Sequence, residues 1–240
     1  VMHKGAPRKI DGAAFDLGVC STQLDQPNRG FSFRHDGPLD MRMSKSGLCA
    51  ADVIMQSDPR DLARILWEYG QEKASRRIAK AIVEARETEP ITSTKQLANI
   101  IYSVLPIKKP GQIDPATRSF QALRIYVNRE LDELACGLRA VESLLEPDGV
   151  LAVVSFHSLE DRIVKQFLKN RSQHAARPSR HLPATTFIAP SFELIVRKAI
   201  VPGANESRLN NRARSAKLRI ARRTTAPAFK KIKEETVLCE

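Results

Sequence analysis

The sequence predicts an α/β fold in which a helical subdomain interrupts the part of the chain that forms the sheet. Two short apolar segments, residues 10–19 and 149–156, are typical of buried strands. The region between them, residues 50–105, carries clear helix start and stop residues and shows little strand character. Apolar residues at helical spacing over residues 118–145 predict a long helix that feeds the second strand, as in a parallel α/β unit.

Three helices are predicted in the region between the two strands. Asp58 followed by Pro59 is a typical helix start, and Gly70 marks the end of that helix. Residues 72–87 and 94–105 are predicted to form the next two helices. These helices belong to the predicted insertion.

The chain after the second strand predicts one further helix and two closing strands. Ser158 can cap a helix directly after that strand, and residues 170–190 are polar, basic and rich in turn-forming residues, as in a loop. Residues 192–200 and 215–221 alternate enough to predict an antiparallel pair of strands. The predicted parts are a first sheet-forming part (1–48), a helical insertion (49–116), a second sheet-forming part (117–222) and a mobile basic tail (223–240).

The composition favours a polyanionic partner. Lys and Arg total 39 against 27 Asp and Glu, which gives a formal net charge of +12. Nucleic acid is the leading candidate partner and an anionic membrane surface is the alternative, although no apolar run approaches the roughly 20 residues that cross a bilayer. The four cysteines form no C-x-x-C pair, which predicts a reducing compartment and no structural metal site.

Polar residues follow both predicted strands, at the edge where ligands bind in open α/β sheets. Asp16 lies near the end of the first strand, and His157 lies in the turn after the second. Because the carboxyl ends of parallel strands meet at one edge, both turns are expected to line one cleft. The alternative is structural, with Asp16 capping its turn and His157 packed against the sheet.

Residues 28–43 predict an ordered functional loop. They place Arg34, Asp36, Asp40 and Arg42 among glycine, proline and apolar residues, with too many helix and strand breakers for a regular element. The alternative is a structural loop whose charged side chains pair with one another.

The predicted helix at residues 72–87 has a basic face. Lys73 and Lys80 each lie three or four residues from Arg76 and Arg77, so the four cations share one face, a geometry that suits phosphate contacts. A merely solvated basic face would have the same pattern. Aromatic residues are sparse, so no aromatic platform interleaved with basic residues is expected.

Four segments, taken in order, resemble the bacterial 16S ribosomal RNA cytosine-N4 methyltransferase family, MraW or RsmH, and its mitochondrial relatives. They are FDLGVCSTQLDQPNRGFSFRHDGPLDMRM, ATRSFQALRIYVNRELDEL, SFHSLEDRIVKQF and NRARSAKLRIA, and the resemblance covers residues 10–222. It implies a Rossmann-like domain that uses S-adenosylmethionine and is interrupted by a helical subdomain assigned to RNA recognition. This architecture agrees with the one predicted from periodicity.

The resemblance also implies the cofactor residues. The Asp of the family's D-L-G motif and the Gln a few residues later contact S-adenosylmethionine, and they match Asp16 and Gln23. The family has a glycine-rich loop after an earlier strand, whereas this sequence has no G-x-G. The N-terminal strands of the cofactor domain are therefore expected to be missing.

The implied reaction is methylation of the exocyclic amine of a cytidine near the decoding site of 16S rRNA, within the small ribosomal subunit. The candidates for the proton acceptor are Asp40, Asp36, His157 and Glu160. The alternatives are a methyltransferase of another nucleic acid and an inactive RNA-binding or ribosome-assembly factor. The expected location is the bacterial cytoplasm, with the mitochondrial matrix as the alternative, and the oligomeric state stays open.

Overall fold

The computed structural model describes residues 8–44, 46–106, 112–172 and 189–229, and the chain divides into two compact units. The first, called the sheet unit, consists of Val1–Gly18 and Leu131–Glu240. The second, called the helical unit, is Val19–Glu130. The helical unit thus interrupts the sheet unit along the chain, and the predicted α/β class with a helical insertion is confirmed.

The sheet unit contains a four-stranded sheet in the order β1-β2-β4-β3. β1 is parallel to β2, whereas β4 is antiparallel to both β2 and β3. The strands are β1 Ile10–Asp16, β2 Leu145–Ser155, β3 Phe192–Leu194 and β4 Lys217–Arg223. Both predicted strands and the antiparallel closing pair are therefore present, although β3 ends six residues before the predicted end at 200. The predicted burial is confirmed for β2 but is wrong for β1, whose residues are all exposed or half-buried.

Two helices, α7 Glu130–Leu144 and α8 Ser158–Ser172, pack against this sheet, and the sheet unit also contains α9 Ala204–Leu209. Leu138 of α7 and Leu168 of α8 pack with Leu151 and Val153 of β2 in a shared apolar core. Alternate β2 residues are buried, as expected for a strand with one covered face.

The helical unit has its own core. Its helices are α1 Ser21–Asp25, α2 Ala50–Gln56, α3 Pro59–Glu68, α4 Ser75–Thr88, α5 Thr94–Val104 and α6 Thr117–Val127. Leu62 and Leu66 of α3, Ile78 of α4 and Ile101 of α5 are fully buried in this core. The three helices predicted here correspond to α3, α4 and α5. No helix in the described ranges is long and apolar enough to cross a membrane.

The single helix predicted over residues 118–145 is wrong, because α6 and α7 are separate helices. Arg129, at the break, has a positive φ of 49°. The side-chain amide of Asn128 donates a hydrogen bond of 2.8 Å to the Arg124 carbonyl oxygen, so a side chain takes a backbone acceptor at the end of α6. The apolar periodicity continues across this break, and periodicity therefore failed to locate it.

The helical unit extends beyond the predicted boundaries at residues 49–116. Leu39 and Met41 before that range, and Phe120 and Leu123 after it, are buried in the same core. These four side chains explain why the compact unit begins earlier and ends later than the change in sequence pattern.

Part of the predicted mobile tail is held in the sheet unit, which corrects the boundary at residue 223. Arg223 is a buried residue of β4, and the Thr224 hydroxyl donates a hydrogen bond of 2.7 Å to the Pro190 carbonyl oxygen. Residues 230–240, which include Cys239, and residues 173–188 of the predicted loop lie outside the described residues.

Candidate functional site

In the sheet unit, the turns that follow β1 and β2 lie side by side. Asp16 is paired in register with Val154, and the Leu17 N–H donates a hydrogen bond of 3.1 Å to the Val154 carbonyl oxygen. Gly18 has a φ of 86°, and a Cβ at this glycine would lie 3.8 Å from Oε1 of Glu160. The two turns therefore meet at one edge of the sheet, where the sequence predicts a cleft.

A buried carboxylate fixes the turn after β2. Oε2 of Glu160 accepts hydrogen bonds from the backbone N–H groups of Phe156 (2.8 Å) and His157 (3.2 Å). Its Oε1 lies 3.1 Å from Nε2 of His157, at ion-pair distance but without hydrogen-bond alignment. Burial would raise the pKa of Glu160, but the His157 contact and the two N–H groups outweigh it and lower that pKa. Glu160 is therefore an ionised cap of the turn.

Asp16 differs from Glu160 in its surroundings. It is exposed at the end of β1, and its carboxylate has no hydrogen bond or ion pair within the described ranges. An exposed carboxylate at this edge can accept hydrogen bonds from hydroxyl or amino groups of a ligand.

Gln23 lies in the first helix of the helical unit. Its Oε1 accepts a hydrogen bond of 3.0 Å from the Cys20 N–H and so caps α1. The Cys20 thiol lies 2.8 Å from the Thr22 hydroxyl, and this hydrogen bond lowers the pKa of Cys20. Gln23 keeps the two N–H donors of its amide for a ligand.

Loop 28–43 folds back on itself through close backbone contacts. A Cβ at Gly30 would overlap the Pro38 carbonyl oxygen, and a Cβ at Gly37 would overlap the carbonyl oxygen of Pro27. Gly30 also has a φ of 70°. Only glycine, which has no Cβ, fits at these two positions of the loop.

The centre of the loop is held in a strained conformation. Met41 is fully buried and has a φ of 61°, which costs an ordinary residue roughly 1–3 kcal/mol. The Asn128 amide donates to the Met41 carbonyl oxygen (2.7 Å) and accepts from the Met43 N–H (2.6 Å). Arg29 donates to the Arg42 carbonyl oxygen (2.9 Å). Two side chains from outside the turn therefore hold its backbone in place.

Asp40 forms a two-point ion pair with Arg42 in this loop. Nε of Arg42 donates to Oδ1 of Asp40 at 2.7 Å, and Nη2 of Arg42 donates to Oδ2 of Asp40 at 2.9 Å. The hydrogen bond from Arg42 lowers the pKa of Asp40, and the charge of Arg29 adds to this effect. Asp40 is thus an ionised hydrogen-bond acceptor, and Arg42 is also bound to the Gly47 carbonyl oxygen at 3.1 Å.

Asp36 connects the same loop to α5. Its Oδ1 accepts hydrogen bonds from the backbone N–H groups of Lys95 (3.1 Å) and Gly37 (3.0 Å). The bond from Lys95 is the main cause of the lowered pKa of Asp36. Arg34, on the same loop, is exposed.

The predicted basic face of α4 is present as a surface. Its four cations are exposed, whereas Ile78 and Ile82 on the opposite side are fully buried. Two of the four have partners within the helical unit: Arg77 donates to the Val104 carbonyl oxygen (2.8 Å), and Lys80 lies 3.5 Å from Glu84. The other two, Lys73 and Arg76, have no partner within the described ranges.

One aromatic residue does lie among basic residues, contrary to the sequence expectation. Trp67 on α3 is 58% exposed and lines a groove between α3 and α4, together with Lys73 and Arg76. The relevant sequence pattern is short: Leu62 and Leu66 mark the core face of α3, and Trp67 falls on the face that carries Arg60 and Arg64. Neither aromatic content nor charge alone identifies such a face.

The comparisons with known proteins agree with one another. The family model described as the MraW methylase family matches residues 1–224. The chain is 57% identical to Ribosomal RNA small subunit methyltransferase H of Paramagnetospirillum magneticum, over 97% of this chain and 73% of that protein. Proteins of the same name from Cereibacter sphaeroides (57%; 95% and 68% covered) and Rhodopseudomonas palustris (58%; 91% and 65% covered) are similarly close.

Proposed function

The chain belongs to the MraW methylase family, and on that premise we propose that it methylates small-subunit ribosomal RNA with S-adenosylmethionine as the methyl donor. The target proposed is the exocyclic N4 amine of a cytidine near the decoding site of 16S rRNA. The observation that carries this proposal is the 57% identity, over 97% of the chain, to a protein named Ribosomal RNA small subunit methyltransferase H. The proposed location is the bacterial cytoplasm, where small ribosomal subunits are found.

Asp16 at the sheet edge and Gln23 in the helical unit each carry groups that suit the cofactor. S-adenosylmethionine, when bound, supplies a methyl group on a positively charged sulfur. Asp16 offers an exposed carboxylate for the hydroxyl or amino groups of that molecule, and Gly18 beside it presents no side chain. Gln23 offers amide donors. Asp16 and Gln23, the two residues that the family resemblance implies, are the proposed cofactor residues.

The low reactivity of the substrate amine determines which groups the protein must provide. The lone pair of the cytidine N4 amine is delocalised into the ring, so the amine is a weak nucleophile. A positioned acceptor can hold an N–H of this amine in line and take a proton after the nitrogen has attacked. An ionised carboxylate with a fixed orientation suits this role.

Asp40 is the proposed acceptor. Its carboxylate is ionised and oriented by two contacts to Arg42, and its side chain is 32% exposed, so one face remains accessible. The loop that carries Asp40 is held in a strained conformation, and such strain is common where a backbone serves a binding or catalytic role. The charge on Arg42 keeps Asp40 a weak base, so proton transfer follows methyl transfer.

Asp36 and His157 are the weaker catalytic candidates. Asp36 already accepts two backbone N–H groups that attach the loop to α5. His157 has a side chain only 11% exposed, and its Nε2 lies against Glu160. Both have contacts that stabilise local structure, and their catalytic roles stand second to that of Asp40.

Exposed cations are the proposed RNA contacts. Lys73, in the turn before α4, and Arg76 on α4 have no partner in the described residues. Of the other predicted contacts, Arg77 and Lys80 bind neighbouring groups, and Arg34 and Arg42 lie on loop 28–43. The cations of α4 suit RNA phosphates because phosphate contacts dominate affinity for nucleic acids.

Labelled methyl transfer tests the proposal against its alternatives. The chain is incubated with methyl-labelled S-adenosylmethionine and, separately, small ribosomal subunits, free 16S rRNA and DNA. Label in the small-subunit RNA supports the proposal. Label in DNA alone indicates a different substrate, and RNA binding without any transfer indicates an inactive RNA-binding factor.

The Asp40→Asn variant tests the catalytic assignment. The loss of the ionised acceptor is expected to lower kcat by about 100-fold, within the range of general acid-base contributions, with KM little changed. Glu193→Ala, which removes an exposed carboxylate of β3, serves as the matched control. Turnover of Asp40→Asn at the rate of the unmodified chain would contradict the role of Asp40.

A further inference from the structure

The groove between α3 and α4 is a second binding surface of the helical unit. It has a volume of about 840 Å³ and is lined by Arg60, Arg64 and Trp67 from α3 and by Lys73, Arg76 and Arg77 from α4 and the turn before it. This volume falls in the range of roughly 300–1,000 Å³ that is typical of ligand sites. All five charged residues in the lining are basic.

Only part of this charge is balanced nearby. Arg64 lies 3.1 Å from Asp61 and 3.4 Å from Glu68, both on its own helix. In contrast, Arg60, Lys73 and Arg76 have no hydrogen bond or ion pair within the part of the chain that the structure describes. Three cations are therefore available to an anionic ligand.

The position of Trp67 adds a second requirement for that ligand. Leu62, Ile65 and Leu66 bury the other face of α3 in the core, while Trp67 is 58% exposed in the groove. A large aromatic face kept in water beside several cations suits a ligand with both planar rings and negative charges. Single-stranded nucleic acids have this combination, because their bases can stack on aromatic side chains while basic residues hold the phosphates.

We infer that the groove binds a single-stranded segment of RNA, with a base stacked on Trp67 and neighbouring phosphates on Arg60, Lys73 and Arg76. This inference rests on the proposed function, which supplies RNA as the substrate, and it adds a site that reads an unpaired segment. Double-stranded RNA keeps its bases inside the duplex and lacks the free face that Trp67 needs. An acidic protein segment would match the charge but has no base.

Trp67 is the only tryptophan of the chain, so its fluorescence reports directly on the groove. An oligouridylate of about eight nucleotides, a length within the usual site sizes for single strands, is titrated into the full chain at low salt. Saturable quenching of the tryptophan emission is expected, with weaker quenching by a duplex of the same length. Binding of polyglutamate in place of the oligouridylate would indicate an acidic protein partner and overturn the inference.

Variants measured by the anisotropy of a labelled oligouridylate separate stacking from charge. Trp67→Ala is expected to weaken binding by about tenfold with the salt dependence unchanged, since base stacking contributes without releasing ions. Lys73→Ala combined with Arg76→Ala should reduce the slope of log K against log salt by about 1.4, or roughly 0.7 for each lost phosphate contact. Lys165→Ala combined with Lys169→Ala, at two exposed lysines of α8, is the charge-matched control and should change neither quantity.

The outcomes also separate this inference from the proposed function. Circular dichroism first establishes that each variant is folded. If Trp67→Ala binds oligouridylate as the unmodified chain does, the groove inference is wrong, even where methyl transfer to small subunits is intact. If the groove binds as expected but no RNA is methylated by the unmodified chain, the inference stands and the proposed function fails.

Discussion

Arg171 and Arg223 lie buried in the sheet unit, whereas Arg60 and Arg76 lie exposed in the helical unit. Nε of Arg171 donates to Oε2 of Glu142 at 2.6 Å, and Nε of Arg223 donates to the Glu142 carbonyl oxygen at 3.1 Å. Burial lowers the pKa of Arg223, and the charge of Glu142 opposes this effect. Arginine thus stabilises the interior of the sheet unit, whereas in the helical unit it lies on an exposed surface.

This difference limits what the net charge of +12 can say about function. The buried arginines of the sheet unit are matched by acceptors and contribute little to attraction at a distance. The exposed cations of α3 and α4 are free to act on a polyanion. Mutation of the buried arginines should therefore lower the stability of the fold, whereas mutation of the exposed cations should weaken binding of a polyanion.

The largest effect is expected at Glu142. Its carboxylate accepts hydrogen bonds from Arg171 and the Ser191 hydroxyl, both at 2.6 Å, and Glu142→Ala leaves a buried arginine without a counter-charge. The free energy of unfolding should fall by about 3–5 kcal/mol, measured by urea denaturation. Glu193→Ala, at an exposed position, is the control and should change it by less than about 0.5 kcal/mol. Equal stability of the two variants would mean that the buried arginines of the sheet unit do not depend on Glu142 as their acceptor.

The next effect concerns the polar side chain that holds loop 28–43. Asn128→Ala removes hydrogen bonds to Met41, Met43 and Arg124 and leaves part-buried backbone groups without these partners. The helical unit should lose about 1–3 kcal/mol of stability. Hydrogen exchange should show faster opening at residues 39–43 than in α3. Unchanged protection at residues 39–43 would show that Arg29 alone holds the loop.

A pH-dependent effect is expected at Asp161 in the sheet unit. Burial would raise its pKa, but Arg219 (2.8 Å) and Lys217 (3.1 Å) lower it below 3.8. A carboxyl with a lowered pKa stabilises the fold above its ordinary pKa, and this contribution disappears as the pH falls through the lowered value. At pH 7, Asp161→Asn should cost about 1 kcal/mol.

In thermal unfolding experiments, the difference between the Asp161→Asn variant and the unmodified chain should then shrink as the pH falls below the ordinary pKa of an aspartate, about 3.9. A difference that stayed constant as the pH falls would mean that packing of the side chain, and not its charge, stabilises the fold.

The smallest effect on stability is expected at the exposed cations. Lys73→Ala combined with Arg76→Ala should change the free energy of unfolding by less than about 0.5 kcal/mol, because neither side chain has a partner in the described residues. Arg171→Ala in the sheet unit is the contrasting variant and should be strongly destabilising. A large loss of stability in the α4 double variant would mean that these cations support the fold.

Regular elements could be predicted from the sequence where one local pattern decides the structure. The strand β2 and helices α3 to α5 follow from apolar spacing, proline and glycine, and capping residues. The break between α6 and α7 could not be predicted in this way. It depends on Asn128, whose partner Met41 lies 87 residues earlier in the chain.

The candidate site shows the same limit. The adjacency of the turns at Gly18 and Glu160 follows from the rule for parallel strands, and the basic face of α4 follows from helical periodicity. The groove at Trp67 needs two helices to be placed beside each other, which no local pattern specifies. The residue roles at Asp16, Gln23 and Asp40 stay predictions.

Mass spectrometry of the RNA product tests the central claim most directly. Small ribosomal subunits lacking the modification are incubated with the chain and S-adenosylmethionine, and the RNA is digested and mapped by fragment. N4-methylcytidine at a single cytidine near the decoding site is the expected product, and it should be reduced to background by Asp40→Asn. A methyl group on another base, on ribose, or at many cytidines would contradict the proposed reaction.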